Sequence, residues 1–231
     1  MTGCVDIAVI DYGMGNLRSV SKALAYVAPT ASVVVTADPE IISTAGRVVF
    51  PGVGAMAGCM LELQQRGLVE VVKLAAASKP FLGICLGMQM LFEHSEEGDA
   101  AGLGILPGRV VRFPAAAMYD NHHERLKVPH MGWNEVHQAV PHPIWHGIAD
   151  DARFYFVHSY YLEAGNPELV SAYSLYPFPF TCAVAAGNIF AVQFHPEKSQ
   201  SAGLALLANF VTWDGKMTLQ PSGSLSAESI L

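Results

Sequence analysis

The residues with the clearest chemical potential stand at Gly83-Ile84-Cys85-Leu86-Gly87. A thiol between two glycines, after an apolar run and before a helical pattern, fits a nucleophile elbow with Cys in the Ser place. A sharp strand-to-helix turn strains the nucleophile's backbone and crowds its flanks, and glycine on both sides relieves the crowding. The helix that follows turns free N–H groups toward the sulfur and favours its thiolate form. The N–H of Leu86 is placed to stabilise an oxyanion. On these five residues alone, a buried structural Cys in a Gly-flanked turn fits equally well. Cys4, Cys59 and Cys182 lack such a context and read as small core hydrophobes.

A Cys nucleophile needs a base, and the base needs an orienting group. Gln193-Phe194-His195-Pro196-Glu197 supplies both after an apolar strand, at the kind of strand end where α/β sites gather. His195 can take the thiol proton. Glu197, held two residues on by a rigid proline, can accept from the other ring nitrogen and fix the tautomer. Pro51-Gly52-Val53-Gly54 is a third element. Its glycines free the backbone to present N–H groups as a second oxyanion donor, although alone it is a Gly/Pro turn. His122, His123, His142 and His146 lie in polar stretches and read as solvated.

Alternating elements must position these groups. Val5–Ile10, Ser32–Val35, Arg47–Phe50 and Pro80–Ile84 read as buried strands. Leu17–Val27, Met60–Ala77 (broken near Gly67) and Leu86–His94 read as helices between and after them. This βα alternation predicts an α/β fold with a parallel sheet flanked by helices. The second half adds strands at Arg109–Phe113, Trp133–His137, Phe154–Val157, Val170–Ser174, Thr181–Ala185 and Ile189–Val192. A hairpin turn at 186–188 and a closing helix at Ser201–Trp213 complete a mixed sheet. Residues 1–213 form one domain in this reading. Ala115–Lys127 is a His-rich surface loop, and 214–231 a loose Ser/Gly-rich tail.

Composition narrows the setting. Only 14% of the 231 residues are charged and 52% are hydrophobic, which excludes disorder and raises the question of a membrane span. The longest apolar candidate, Pro80–Phe92, is interrupted by Gly83, Gly87 and Gln89 and falls short of the roughly 18–20 residues a span needs. A net charge of −7 without a basic cluster argues against nucleic acid. Widely spaced cysteines and an N-terminus without a basic leader point to a reducing, cytoplasmic setting. Two decoys fail. Gly13-Met14-Gly15-Asn16-Leu17-Arg18 has Arg where a dinucleotide fingerprint needs its third Gly, and His122-His123-Glu124 lacks metal-ligand spacing. No cofactor and no metal are expected.

Taken jointly, Pro51-Gly52-Val53-Gly54, Gly83 to Gln89 and His195-Pro196-Glu197 resemble a class I, triad-type glutamine amidotransferase over about residues 5 to 213. The resemblance implies a flavodoxin-like fold, a mixed but mostly parallel sheet, and a Cys85–His195–Glu197 triad acting on glutamine. It also implies substrate contacts from Gln89, Ser159 and Tyr160. Asp11–Leu17, Pro129–Asn134, Phe156–Tyr161 and Glu197–Gln200 look like the glutaminase subunits of imidazole glycerol phosphate synthase. That likeness implies a heterodimer with a (β/α)8-barrel cyclase and places Asn16, Trp133 and Lys198 at the partner interface. The long loop 115–127 and the tail after Trp213 depart from the pattern without touching the triad motifs. On the elbow alone a cysteine peptidase, a deglycase or a non-catalytic subunit stays open.

Overall fold

A computed structural model describes residues 5–119 and 122–217. Its first half alternates as the periodicity predicts: β1 (Ile7–Ile10), α1 (Leu17–Val27), β2 (Val33–Thr36), α2 (Pro39–Thr44), β3 (Arg47–Gly52), α3 (Met56–Gln65), α4 (Val69–Ser78), β4 (Phe81–Cys85) and α5 (Leu86–Gln89). Then follow β5 (His94–Ser95), β6 (Ala100–Ala101), β7 (Gly108–Arg112), β8 (His130–Gln138), β9 (Ala152–His158), β10 (Tyr160–Ala164), β11 (Val170–Leu175), β12 (Pro179–Ala186), β13 (Ile189–Val192) and α6 (Gln200–Thr212). The sheet runs β2-β1-β3-β4-β13-β12-β10-β7-β5-β6. Neighbours from β2 through β13 are parallel, and β12 begins the antiparallel additions. A side layer of β11, β8 and β9 branches from β12.

The near-continuous apolar strands are explained by burial on both faces. Side chains alternate across a strand, so Ala8, Ile10, Val48, Phe50 and Phe81 pack with α3 and α4. Ile7, Val9, Val49, Leu82 and Ile84 pack on the other side with α1 and α6 through Val20, Leu24, Leu206, Leu207 and Phe210. The break at Gly67 is present, with that glycine at φ +67 between α3 and α4. The expected hairpin closes through Gly187 and Asn188, where Ala186 pairs with Ile189.

Several readings need correction. The predicted Leu86–His94 helix stops at Gln89. The N–H groups of Leu91 and Phe92 bond three residues back, and Glu93 then bonds the Gly108 carbonyl, so the chain leaves the helix to join β7 through β5. The helix α2 was missed, although Asp38 caps it by accepting from the Glu40 N–H at 2.8 Å and Pro39 opens it. The strand β10, which pairs with β7 and β12, was missed as well. His142 is buried rather than solvated. It packs against Phe190 and Trp213, and burial lowers its pKa to about 4. Within the expected surface loop, Met118 is fully buried. Cys4 and residues 218–231, most of the expected tail, lie outside the described residues.

Candidate active site

Strand register assembles the site at the carboxyl ends of the parallel strands, the usual location in open α/β sheets. Gly52 at the end of β3 lies directly opposite Cys85 at the end of β4. On the other side, Val192 of β13 pairs with Ile84, so the chain beyond Val192 runs alongside Cys85. Three segments far apart in sequence meet there because three neighbouring parallel strands end together.

Cys85 sits at φ 54 and ψ −114, a conformation that side-chain-bearing residues rarely adopt and that marks functional sites. The flanking glycines are a steric requirement. A Cβ on Gly87 would lie 1.8 Å from the Phe50 carbonyl oxygen, and one on Gly83 would lie 2.9 Å from the Ala191 Cβ. The following helix is a single turn, so its macrodipole is smaller than the expected longer helix would supply. What faces the sulfur is local: Leu86, the first helical residue, has an N–H without an intrahelical acceptor.

His195 is buried and donates from Nδ1 to Glu197 Oε1 at 2.9 Å, with both side chains almost fully enclosed. With Nδ1 engaged, the interaction with Cys85 falls to Nε2. Burial works against the imidazolium. The hydrogen bonds and charges of Cys85 and Glu197 outweigh it and push the His195 pKa up to about 9. The segment is firmly held: the Tyr155 carbonyl accepts from the His195 N–H, and the Ser199 hydroxyl donates to the His195 carbonyl at 2.6 Å. α6 lies so close that a Cβ on Gly203 would come within 1.9 Å of the Pro196 carbonyl oxygen.

A cavity of about 290 Å³ opens over Cys85. Val53, Gly54, Leu86, Gln89, Ser159, Tyr160 and His195 line it beside Cys85, so nearly every expected site residue meets in one place. Gly52 lies just beneath, where a Cβ would touch the Tyr12 hydroxyl and the Gly87 nitrogen. Gln89 donates from Nε2 to the Tyr160 carbonyl at 3.3 Å and to Gln193 Oε1 at 2.8 Å.

Several residues at this site escaped the sequence reading. Glu97 lines the cavity while one carboxylate oxygen accepts from the Met56 N–H. Nothing in the acidic run 96–97 distinguishes it from a solvated face. The thiol of Cys59, pushed up by burial and so kept protonated, donates to the Val53 carbonyl at 3.4 Å and anchors the Gly52–Gly54 turn. His158 donates from Nδ1 to the Tyr160 carbonyl at 2.8 Å and accepts from His130 Nδ1 through Nε2 at 2.9 Å. Burial first lowers both histidines, to about 3 and about 4, so both are neutral at pH 7.

Of the expected interface residues, Trp133 and Lys198 both lie close to Tyr155. The Trp133 and Tyr155 ring centroids are 6.1 Å apart, and the Lys198 ammonium is 5.7 Å from the Tyr155 ring. Asn16 caps α1 without a side-chain bond to it. A wider groove of about 1100 Å³ shares Pro129 with the cavity over Cys85 but is lined by none of Cys85, His195 and Glu197.

The family "Glutamine amidotransferase class-I" matches residues 8–213. The "Imidazole glycerol phosphate synthase subunit HisH" of Thiobacillus denitrificans is 69% identical over 91% of this chain and 92% of its own. The chain belongs to the HisH family of class-I glutamine amidotransferases. A HisH subunit from Aromatoleum aromaticum is 66% identical over 90% of this chain and 98% of its own. A solved glutamine amidotransferase overlays with a TM-score of 0.64 at 18% identity, covering 87% of this chain and 98% of the other, and so shares the fold. No described helix is long and apolar enough to cross a membrane.

Proposed function

We propose that the chain hydrolyses glutamine to glutamate and ammonia with Cys85 as nucleophile, His195 as proton carrier and Glu197 as its orienting carboxylate. The single observation that carries this is the strained Cys85 at the strand end, with His195 beside it at the wall of one cavity and hydrogen-bonded to the buried Glu197. His195 holds the proton taken from the thiol while the sulfur attacks the side-chain amide carbon and forms a C–S bond. The carbonyl oxygen gains the negative charge, which the Leu86 N–H and the Gly52–Gly54 turn stabilise. His195 protonates the leaving nitrogen, and ammonia departs from a γ-glutamyl thioester. Water then attacks the thioester and gives its proton to His195. Glutamate leaves, and the thiol is restored. Gln89, Glu97 and the Ser159–Tyr160 backbone surround the amino-acid end of the substrate, Glu97 offering a charge to its ammonium group.

The ammonia passes to a partner subunit of imidazole glycerol phosphate synthase, a (β/α)8-barrel cyclase bound as a heterodimer. There it joins a phosphoribosyl-aminoimidazole-carboxamide nucleotide in histidine biosynthesis, in the cytoplasm. Membership of the HisH family supports this reading, as does the exposed aromatic and basic group of Trp133 and Lys198 near the site. Holding the Gly52–Gly54 turn out of line until the acceptor binds would prevent wasted ammonia. Mixed with a HisH-partner cyclase and its nucleotide, the purified chain is expected to release glutamate at least tenfold faster than alone. Fast turnover alone, indifferent to the cyclase, would overturn the coupling.

A further inference from the structure

The side chain of Gln193 is completely buried and joins the nucleophile to Gln89, yet nothing above assigns it a role. It stands one residue past β13, with its backbone N–H donating to the Cys182 carbonyl at 2.8 Å, so its position is set by the sheet. Its Oε1 accepts from Gln89 Nε2 at 2.8 Å, and its Nε2 lies 3.8 Å from Cys85 Sγ.

The direction of this chain follows from chemistry. The Tyr160 carbonyl can only accept, so Gln89 must turn its NH₂ toward it. That same nitrogen faces Gln193, which must therefore present its oxygen to Gln89. The Gln193 NH₂ is left pointing at the sulfur. Reversing Gln193 would set donor against donor, and reversing Gln89 would set acceptor against acceptor, in a buried site with a desolvation cost that favours the observed order.

We infer that Gln193 is a positioning residue that holds a hydrogen-bond donor on the Cys85 sulfur, its polarity fixed from the Tyr160 carbonyl through Gln89. A donor at that place stabilises thiolate over thiol and fixes the sulfur relative to the cavity wall that receives substrate. Because both Gln89 amide hydrogens are spent within the protein, Gln89 meets the substrate through its oxygen, as an acceptor.

The inference rests on Cys85 being the reactive thiol, and the test separates the two. Alkylation of Cys85 by iodoacetamide is followed by mass spectrometry of its own peptide between pH 5 and 10 in the full chain and in Gln193→Met and Gln193→Glu. Loss of the donor in the Met variant is expected to slow alkylation at pH 7 on the order of tenfold. The Glu variant sets a carboxylate oxygen against the sulfur, and its profile is expected to move to higher pH by about one unit or more. For both, the fall in kcat for glutamine exceeds any change in KM. In the unsubstituted protein, the Gln193 side-chain amide resonance is expected to shift with pH in step with the alkylation profile, a reading that needs no variant to fold. Superimposable profiles in all three proteins, or an amide resonance indifferent to pH, would overturn the inference and leave the nucleophile intact. An unreactive Cys85 in the unsubstituted protein would overturn both.

Discussion

Cys85→Ala is expected to abolish glutamine hydrolysis, by a factor on the order of 10⁴ or more, while synthase activity supplied with ammonium salt and an intact cyclase persists. The split follows from the chemistry. Removing the sulfur removes the atom that would form the thioester, whereas free ammonia bypasses that step. The fold should survive. Alanine meets the same backbone strain at φ 54 that cysteine already bears, and the volume lost is one sulfur atom. A stability loss of about 1 kcal/mol is therefore expected from thermal melting. Assaying glutamate release and ammonium-driven synthesis on the same preparation checks both halves. Retained glutamine turnover would remove Cys85 from the mechanism, and loss of ammonium-driven activity would assign it a structural role.

The second large effect belongs to His195. His195→Asn keeps a polar group of similar reach but no group that titrates, and a loss of about 10²–10⁴-fold in kcat is expected. The pH dependence follows from the site's electrostatics. Burial opposes charge on His195, but Cys85 and Glu197 together raise its pKa from 6.5 to about 9. The protonated ring is thus more favourable in the folded chain than in the unfolded one. Its contribution to stability is fully present below about pH 6.5 and is lost as the pH rises through about 9. The proton needed by departing ammonia is lost over the same range, so kcat should fall on an alkaline limb near pH 9. Glu197→Gln removes one of the charges that hold the proton, and its limb is expected at lower pH. A limb unmoved by that substitution would show that Glu197 does not orient or charge the base.

Much of this site was legible because its parts are local. The Gly83–Gly87 pentapeptide carries its own steric logic, and the contacts at Gly87 and Gly83 bear that logic out. His195 and Glu197 are separated by one proline and could be paired without knowing the fold. The strands were legible because burial on both faces leaves uninterrupted apolar runs. What escaped depends on contacts distant in sequence. Glu97 reaches the cavity only because α5 ends after one turn and hands the chain to β5. A run of apolar residues after Cys85 could not reveal that stop, since β-sheet pairing with β7 competes with the helix there. His142 reads as solvated beside Pro141 and Pro143, yet Phe190 and Trp213 arrive from elsewhere to cover it. Gln193 was visible in the sequence but had no readable role until the register of β13 against β4 placed it beside the sulfur. The Asp38-Pro39 start of α2 is different, because its capping signal was local and could have been found.

In this mechanism Cys85 alone among the thiols carries the γ-glutamyl group. Its most direct test is intact-protein and peptide mass spectrometry after incubation with a diazo-ketone glutamine analogue, in the presence of the cyclase and its nucleotide. The expected result is a single adduct on the Cys85 peptide, formed in step with loss of glutamine hydrolysis and blocked by excess glutamine, with Cys59 and Cys182 unlabelled in their buried positions. Complete inactivation with Cys85 unmodified, or full activity with Cys85 labelled, would contradict the account.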